Sequence, residues 1–184
     1  MRVWVFGFKA MKMLRSLSVL GIIALLSFQH GDRYSLRALQ RWQSKIGGDA
    51  IWVKVDSAQW RCALPNGESH MMTIRRVNTC TFGGCIRPDA AAEASAGQEY
   101  LVYAAHIDGK TGTVREVRVL EYASTYGYQM TAKWWLRQFE GWSAASSKTQ
   151  TIDGISGATV SVNAFVEDVH QLLLAQDIKR NTTE

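Results

Sequence analysis

Two β-rich runs in the second half of the chain, joined by a glycine-containing turn, constrain the fold more strongly than any other feature. The runs span Glu99–Ile107 and Thr113–Tyr122, and the segment Asp108-Gly109-Lys110-Thr111-Gly112 separates them. Aspartate and glycine in such a short connection are typical of a β-hairpin. Valines alternate only in part with charged residues in the second run, so one face should be buried and the other mostly solvated. We therefore predict that this hairpin forms the central part of an antiparallel sheet.

Helical patterns flank the predicted strands. From Val162, apolar residues recur every three or four positions, which predicts an amphipathic helix over residues 161–175. An earlier helix is predicted over Tyr34–Ile46, and a pair of glycines follows it as a stop signal. The other predicted elements are a strand at Ile51–Val55, a turn at Ala63–Ser69, a strand at Met71–Asn78 and a short helix at Lys133–Phe139. This order indicates an α+β fold, in which the two longer helices cover an antiparallel sheet.

The N-terminal residues have the pattern of a signal peptide or membrane anchor. Residues 1–15 are basic and aromatic, and a mostly apolar run follows from Ser16 to Phe28. The run is shorter than the roughly 20 apolar residues of a spanning helix, so it fits a secretory signal better. An uncleaved anchor is the first alternative, because no good cleavage site follows, and a buried core helix of a cytoplasmic protein is the second. With either a signal or an anchor, the positive charges stay in the cytoplasm and the domain lies outside.

These patterns divide the chain into four parts. Residues 1–31 are the signal peptide or anchor, and residues 32–98 hold the first helix, strands and a cysteine-containing loop. Residues 99–176 form the core of the domain. Residues 177–184 are polar, and we predict a flexible tail there.

The distribution of charge argues against a nucleic-acid partner. The chain of 184 residues has a formal net charge of +5, but four of its 21 basic residues and none of its 16 acidic residues lie in residues 1–31. The remaining 153 residues therefore carry a net charge of only +1. Such a domain lacks the electrostatic attraction that dominates nucleic-acid affinity, and it contains no nucleic-acid-binding motif. We expect no nucleic acid among its partners.

The three cysteines leave several interpretations open. Cys80 and Cys85 enclose Thr-Phe-Gly-Gly, whose glycines permit the turn of a small disulfide loop in an oxidising compartment. Cys62 would then stay unpaired. The alternatives are a redox-active dithiol and a metal site. The spacing matches no zinc pattern, however, and His70 and His106 are scattered along the chain.

The start of the C-terminal helix combines small residues with hydroxyl groups. The segment Asp153-Gly154-Ile155-Ser156-Gly157-Ala158-Thr159-Val160-Ser161 leads directly into it. The first N–H groups of a helix lack intrahelical acceptors and, with the helix dipole, suit an anion such as a phosphate. Gly157 and Ala158 keep the approach uncrowded, so the Thr159 hydroxyl can be exposed to a second macromolecule. The simpler interpretation is that Thr159 or Ser161 is an ordinary N-cap and Gly157 an ordinary turn residue.

This segment resembles the flavinylation motif of the FMN-binding domain family, which includes FMN-carrying periplasmic subunits of Na+-translocating NADH:quinone reductase and Rnf-type complexes. In that family the last threonine of a Ser/Thr-Gly-Ala-Thr element is joined to FMN through a phosphodiester, made by a Mg2+-dependent flavin transferase that uses FAD. The matching residue is Thr159. The resemblance implies that Ser161 caps the helix near the phosphate. It also implies a set of residues that the transferase recognises, namely Asp153, Ser156, Gly157 and Ala158.

Two stretches ahead of the motif extend the resemblance from roughly Tyr100 to Leu174. Residues 120–128 resemble a Glu-Thr-x-Gly loop of the family, and residues 135–142 contain Gln-Phe-x-Gly, as the family does. The loop departs from the family at residues 123–125, Ala-Ser-Thr, and at Tyr126, where proline is common. Most aromatic residues in this region should pack in the core. We expect one or two rings, with Tyr126 and Tyr128 as candidates, to line the isoalloxazine ring, while Gly127 permits close approach of the backbone.

The resemblance implies an exported flavoprotein that carries covalent FMN on Thr159 and passes electrons between a donor and an acceptor protein. It would act at the outer, periplasmic side of a bacterial inner membrane, either secreted or anchored. No GxGxxG and no acid/base constellation is present in the sequence, which favours an electron carrier and transferase substrate over a stand-alone enzyme. The alternatives are an FMN-carrying partner subunit of an extracytoplasmic reductase and a flavin-free interaction module.

Overall fold

The computed structural model of the protein describes residues 32–47, 50–81, 98–124 and 126–182. The chain divides into two compact units, residues 1–38 and 39–184. Helix α1 (Asp32–Ile46) begins in the first unit and ends in the second, and it matches the first predicted helix. The predicted signal or anchor lies outside the described residues, and so does Cys85 of the predicted Cys80–Cys85 bridge. Within the described ranges, no helix is both long enough and apolar enough to cross a membrane.

The described strands form one antiparallel sheet in the order of the sequence. The α+β prediction is confirmed, and a short strand that was not predicted joins the sheet between the first two predicted ones. In it, Trp60 and Cys62 are buried and alternate with exposed Arg61 over a run too short to detect by periodicity. The five strands of the described part are β1 (Val53–Lys54), β2 (Gln59–Ala63), β3 (Ser69–Thr81), β4 (Gln98–Asp108) and β5 (Val114–Ala123).

The predicted hairpin consists of β4 and β5, and it occupies one side of the described sheet rather than its centre. Its turn is closed by Asp108, whose carboxylate accepts the backbone N–H groups of Lys110 and Thr111 at 2.9 Å each. Arg115 approaches the same carboxylate at 2.5 Å. Burial raises the pKa of Asp108, but the hydrogen bonds from Thr111 and Arg115 outweigh it and hold the pKa well below its usual range.

The helical elements of the C-terminal half are two 3₁₀ helices (Tyr128–Thr131 and Arg137–Phe139), α2 (Lys133–Leu136) and α3 (Thr159–Asn181). Helix α3 extends beyond its predicted end, so residues 177–181 are helical and do not form the predicted tail. Gln176 is buried, and Asp177 pairs with Arg180 one turn later, which explains why a polar sequence stays helical here.

Helix α3 packs against one face of the sheet through a core rich in aromatic rings. The ring of Phe165 lies 4.8 Å from Tyr103, 5.1 Å from Phe139 and 5.9 Å from Trp135, measured between centroids. Each fully buried ring stabilises the fold by about 2 kcal/mol, so this cluster is a large contribution. It joins the sheet, the region of α2 and α3 into one core.

The same interface contains a partly buried polar cluster. Asp168 on α3 accepts hydrogen bonds from Arg75 at 2.6 and 2.7 Å and from the Tyr103 hydroxyl at 2.7 Å. The hydrogen bonds that Arg75 donates to Asp168 raise the pKa of Arg75, and burial raises the pKa of Tyr103. Arg75 and Tyr103 therefore stay protonated as donors to Asp168, and the cluster fixes the register of α3 on the sheet.

The opposite face of the sheet carries a buried histidine pair. His106 Nε2 lies 3.2 Å from His70 Nδ1, and the ring of Trp42 from α1 covers His106 at 5.1 Å. Burial and the neighbouring His70 lower the pKa of His106 to about 4. The surroundings on this face therefore favour the neutral form of the His106 imidazole.

Candidate functional site

Helix α3 begins at Thr159, in the middle of the motif identified from the sequence. A tight turn precedes it, in which the Ala158 N–H donates to the Ile155 carbonyl at 3.0 Å and Gly157 takes a φ of +78°. A residue with a side chain is strained at that φ, which is why glycine is suited to this position. Ile155 and Ala158 are buried, whereas Thr159 is exposed. The turn thus anchors the motif and leaves the threonine at the surface.

No side chain caps the start of α3. The N-cap residue is Ala158. The predicted capping role of Ser161 is therefore wrong, and so is the simpler interpretation in which Thr159 or Ser161 is the N-cap. Ser161 is the third residue of the helix and is buried with 6% exposure. The first N–H groups of a helix have no intrahelical acceptors, and here no capping oxygen occupies them. With the positive end of the helix dipole, they are positioned to bind an anionic group.

The loop at Gly127 packs directly on the motif. Gly127 has a φ of +79°, and a Cβ added to it would lie 2.3 Å from the Cβ of Ala158 and 3.0 Å from the hydroxyl of Tyr122. Only a residue without a side chain fits between these atoms. The structure therefore brings together two predicted site residues, Gly127 and Ala158, that are 31 positions apart in the sequence.

Tyr122 and Ser124 hold the loop in place. The Tyr122 hydroxyl donates to the carbonyl of Tyr126, and Ser124 Oγ lies 3.1 Å from the same oxygen. The Tyr122 ring meets the ring of Tyr128 edge to face, with centroids 6.2 Å apart. Burial raises the pKa of Tyr122, so its hydroxyl stays protonated as a donor. The loop backbone is thus set by side chains of β5 and its end.

Side chains from α2 and the following 3₁₀ turn hold the other end of the motif. Trp135 Nε1 donates to the Asp153 carbonyl at 2.8 Å, and the Asp153 N–H donates to Gln138 Oε1 at 2.9 Å. Gln138 Nε2 donates in turn to the Trp135 carbonyl at 3.2 Å. The backbone of Asp153 is therefore fixed through both of its polar atoms, while its carboxylate is on an exposed residue.

The aromatic residues of this region separate into two groups. Trp135, Phe139 and Trp142 are at most 1% exposed and belong to the core. The exposed group consists of Tyr126, Tyr128 and Trp134, at 66, 74 and 60%. Rings of the second group are free to contact a planar ligand, which keeps Tyr126 and Tyr128 as candidates.

The structure therefore assembles one site from three segments. It contains a close contact between Gly127 and Ala158, an exposed Thr159 at an uncapped helix start, and a hydrogen-bonded Asp153. Exposed Ser156 and Gly157 lie in the same turn. Sequence reasoning did not assign roles to Tyr122, Trp135 and Gln138, although the Gln-Phe-x-Gly element was a signal for the last of these. These residues fit FMN, because the uncapped N–H groups suit its phosphate and the exposed rings suit its flavin.

Comparison with known proteins agrees with this assembly. The model of the FMN-binding domain family matches residues 99–174, from the start of β4 to within α3. The match contains every contact described above for the site. No curated protein and no solved structure matches the chain.

Proposed function

We propose that the chain, an FMN-binding flavoprotein whose residues 99–174 belong to the FMN-binding domain family, carries FMN covalently on Thr159 as an electron carrier. FMN supplies the redox chemistry, and the protein tethers and orients it. The observation that carries the proposal is the exposed Thr159 at the uncapped start of α3, next to the Gly127–Ala158 contact. A hydroxyl at this place is open to a second protein, and the neighbouring N–H groups stabilise a phosphate there.

Attachment requires an FAD-dependent flavin transferase. A bond forms between Thr159 Oγ1 and the phosphorus of the FMN half of FAD, the pyrophosphate bond breaks, and AMP leaves. The hydroxyl proton passes to a base of the transferase, which also holds the Mg2+. Asp153, Ser156, Gly157 and Ala158 form the recognised element in this proposal, and its rigidity comes from the hydrogen bonds of Trp135 and Gln138 to Asp153.

The proposal includes a place of action. The apolar run at Ser16–Phe28 behind a basic segment supports export to the periplasmic side, with the domain secreted or anchored at the inner membrane. The flavin then receives electrons from a donor protein and passes them to an acceptor at the outer face of the membrane. A covalent tether is useful there because a dissociated cofactor diffuses away.

Intact mass and peptide mapping test the attachment. The protein is exported from a host with an active flavin transferase, beside the variants Thr159→Ala, Thr151→Ala and Ser161→Ala. We expect a mass gain of FMN minus one water on the peptide containing Thr159, absent only in Thr159→Ala. The variants at Thr151 and Ser161 are matched controls, since they remove hydroxyls within eight residues of Thr159 that lie outside the proposed recognition element. An unmodified wild-type chain, with the transferase active on a known acceptor, would refute covalent attachment and leave non-covalent FMN.

A further inference from the structure

A small basic cleft lies between β5 and the region of α2. It has a volume of about 100 Å³, and its charged lining consists of four basic and two acidic side chains. These are Arg41, Arg118, Lys133, Arg137, Glu116 and Glu140. A cavity of this size admits a carboxylate or a similar group, but not a cofactor.

The lining of this cleft carries more positive than negative charge, with four basic against two acidic side chains. Arg41, Lys133 and Arg137 have no ion pair among the residues that the structure describes. Glu116 lies 3.6 Å from Arg118, but it is also bound at 2.5 Å by Lys45. Its negative charge is therefore shared between two cations and does not neutralise the cleft.

This positive charge is local. Residues 32–184 carry 17 basic and 16 acidic side chains, so the domain has no general basic surface. A cluster of unpaired cations on a nearly neutral domain creates a directed electrostatic field, which attracts negatively charged partners and orients them.

Two chain segments connect the cleft to the flavin motif. Lys133 and Arg137 line the cleft and are two residues away from Trp135, whose Nε1 donates to the Asp153 carbonyl at 2.8 Å. Thr131 also lines the cleft and follows Gly127 by four residues, and Gly127 packs on Ala158. A partner that occupies the cleft therefore contacts the same chain segments that hold the motif.

We propose that this cleft is the docking surface for a partner protein with clustered Asp and Glu side chains, and that electrons enter or leave the flavin there. This inference rests on the proposed function. Charge complementarity accelerates encounter and fixes orientation without requiring a large interface, which suits a short-lived complex. The association weakens as salt screens the charges.

Binding is tested first without flavin, on the full chain carrying Thr159→Ala. The probe is a fluorescein-labelled hexaglutamate peptide, and fluorescence anisotropy measures its affinity at low and high salt. We expect Lys133→Glu combined with Arg137→Glu to weaken binding about tenfold at low salt, since two exposed attractions become repulsions. The matched control is Arg61→Glu combined with Lys110→Glu, which makes the same charge change on exposed residues of β2 and the hairpin turn. Equal weakening by both pairs, or by neither, overturns the proposal.

The flavinylated protein provides the second readout. After anaerobic reduction with dithionite, which supplies two electrons per flavin, each reduced flavin passes one electron to each of two ferricyanide ions, which become ferrocyanide, and its protons pass to the buffer. We expect slower oxidation and a smaller salt dependence in the Lys133/Arg137 variant than in the control variant. An unchanged rate despite altered peptide binding overturns the electron-transfer role of the cleft. A wild-type chain without flavin refutes the proposed function instead, and the peptide measurement still decides whether the cleft binds acidic groups.

Discussion

The start and the middle of helix α3 differ in their hydrogen bonding: no side chain caps the start, whereas the middle is hydrogen-bonded to the sheet. Thr159 is exposed at an uncapped start, whereas Asp168 accepts three hydrogen bonds from Arg75 and Tyr103 on the sheet. The middle of the helix thus uses its polar groups to hold the fold together. Its start leaves polar groups unused by the protein, as a ligand site requires.

The lack of a capping side chain at the start of α3 has a structural cause. A capping Ser, Thr, Asp or Asn contributes about 1 kcal/mol to a helix, and Ala158 gives up this stabilisation. Its Cβ lies against Gly127, and a Cβ at Gly127 would come within 2.3 Å of it. A larger capping side chain has no room there. Close packing between loop and motif therefore keeps the helix start uncapped and available.

The largest expected effect on stability comes from Asp168 in the middle of α3. Asp168→Ala removes the partly buried acceptor of three hydrogen bonds, including the one from the fully buried Tyr103, and should lower the free energy of unfolding by about 3 kcal/mol. Urea denaturation measures it. The folded fraction should accept flavin as the wild type does.

Asp177→Ala is the matched control for this change. It removes an aspartate from the same helix, but one whose ion pair with Arg180 is more exposed, and the expected loss is below about 1 kcal/mol. If both variants lose the same stability, the hydrogen bonds of Asp168 to the sheet contribute no more than the more exposed ion pair of Asp177, and the comparison is wrong.

The second prediction concerns the opposite face of the sheet and its dependence on pH. The pKa of His106 falls from 6.5 to about 4 on folding, because burial and then His70 disfavour the charged ring. Between these values the unfolded chain binds more protons, so stability should decrease as the pH falls from 6.5 to 4, by on the order of 2 kcal/mol.

Urea unfolding at pH 7 and at pH 4.5 measures this change. His106→Gln should reduce the slope, since the glutamine does not titrate, and flavin attachment measured at pH 7 should stay normal. The same slope in both proteins would show that other groups control the acid sensitivity.

The third prediction uses two glycines with nearly the same backbone conformation. Gly127 and Gly157 have φ values of +79° and +78°, but an added Cβ meets Ala158 only at Gly127. Alanine at either position costs about 1 kcal/mol of backbone strain. Gly127→Ala should cost more than Gly157→Ala and should also displace the loop from the motif. Adding Ala158→Gly should recover part of the lost stability in Gly127→Ala but not in Gly157→Ala. If the Gly127→Ala variant recovers no stability, the packing argument is wrong.

The smallest effect on stability should come from the hydrogen bonds to the motif. Gln138→Leu leaves the Asp153 N–H without its acceptor and should cost about 1 kcal/mol. The rate of flavin attachment should fall by a larger proportion, because the transferase then meets a less ordered segment. Gln129→Leu, on an exposed residue of the preceding 3₁₀ helix, is the control. Equal attachment rates in both variants would mean that Gln138 does not position the motif.

Much of the fold was predictable because its signals are local. The hairpin, α1, and the short helix near Lys133 follow from turn residues and periodicity, and the structure contains each of them. Strand β2 was missed because five residues give too little alternation, and the helical end at residues 177–181 was missed because its stability depends on buried Gln176.

The site divides in the same way. The attachment candidate Thr159 and the glycines around it follow from a contiguous motif, which one segment of sequence displays completely. The contacts of Tyr122, Trp135 and Gln138 join residues that lie far from the motif in the sequence. No spacing rule relates them, since each depends on how β5 and α2 pack against α3.

The sequence by itself determined the class of fold, the start of α3 and the choice of Thr159 as the candidate attachment residue, because these depend on local backbone preferences and a short motif. Only the tertiary structure decided that Ala158 is the N-cap, that Ser161 is buried and that three aromatic rings stay exposed. It also decided that basic side chains from α1, β5 and the region of α2 line one cleft. Those properties arise from packing between segments that are distant in the sequence, because the space beside one segment limits which side chains of the other segment fit there.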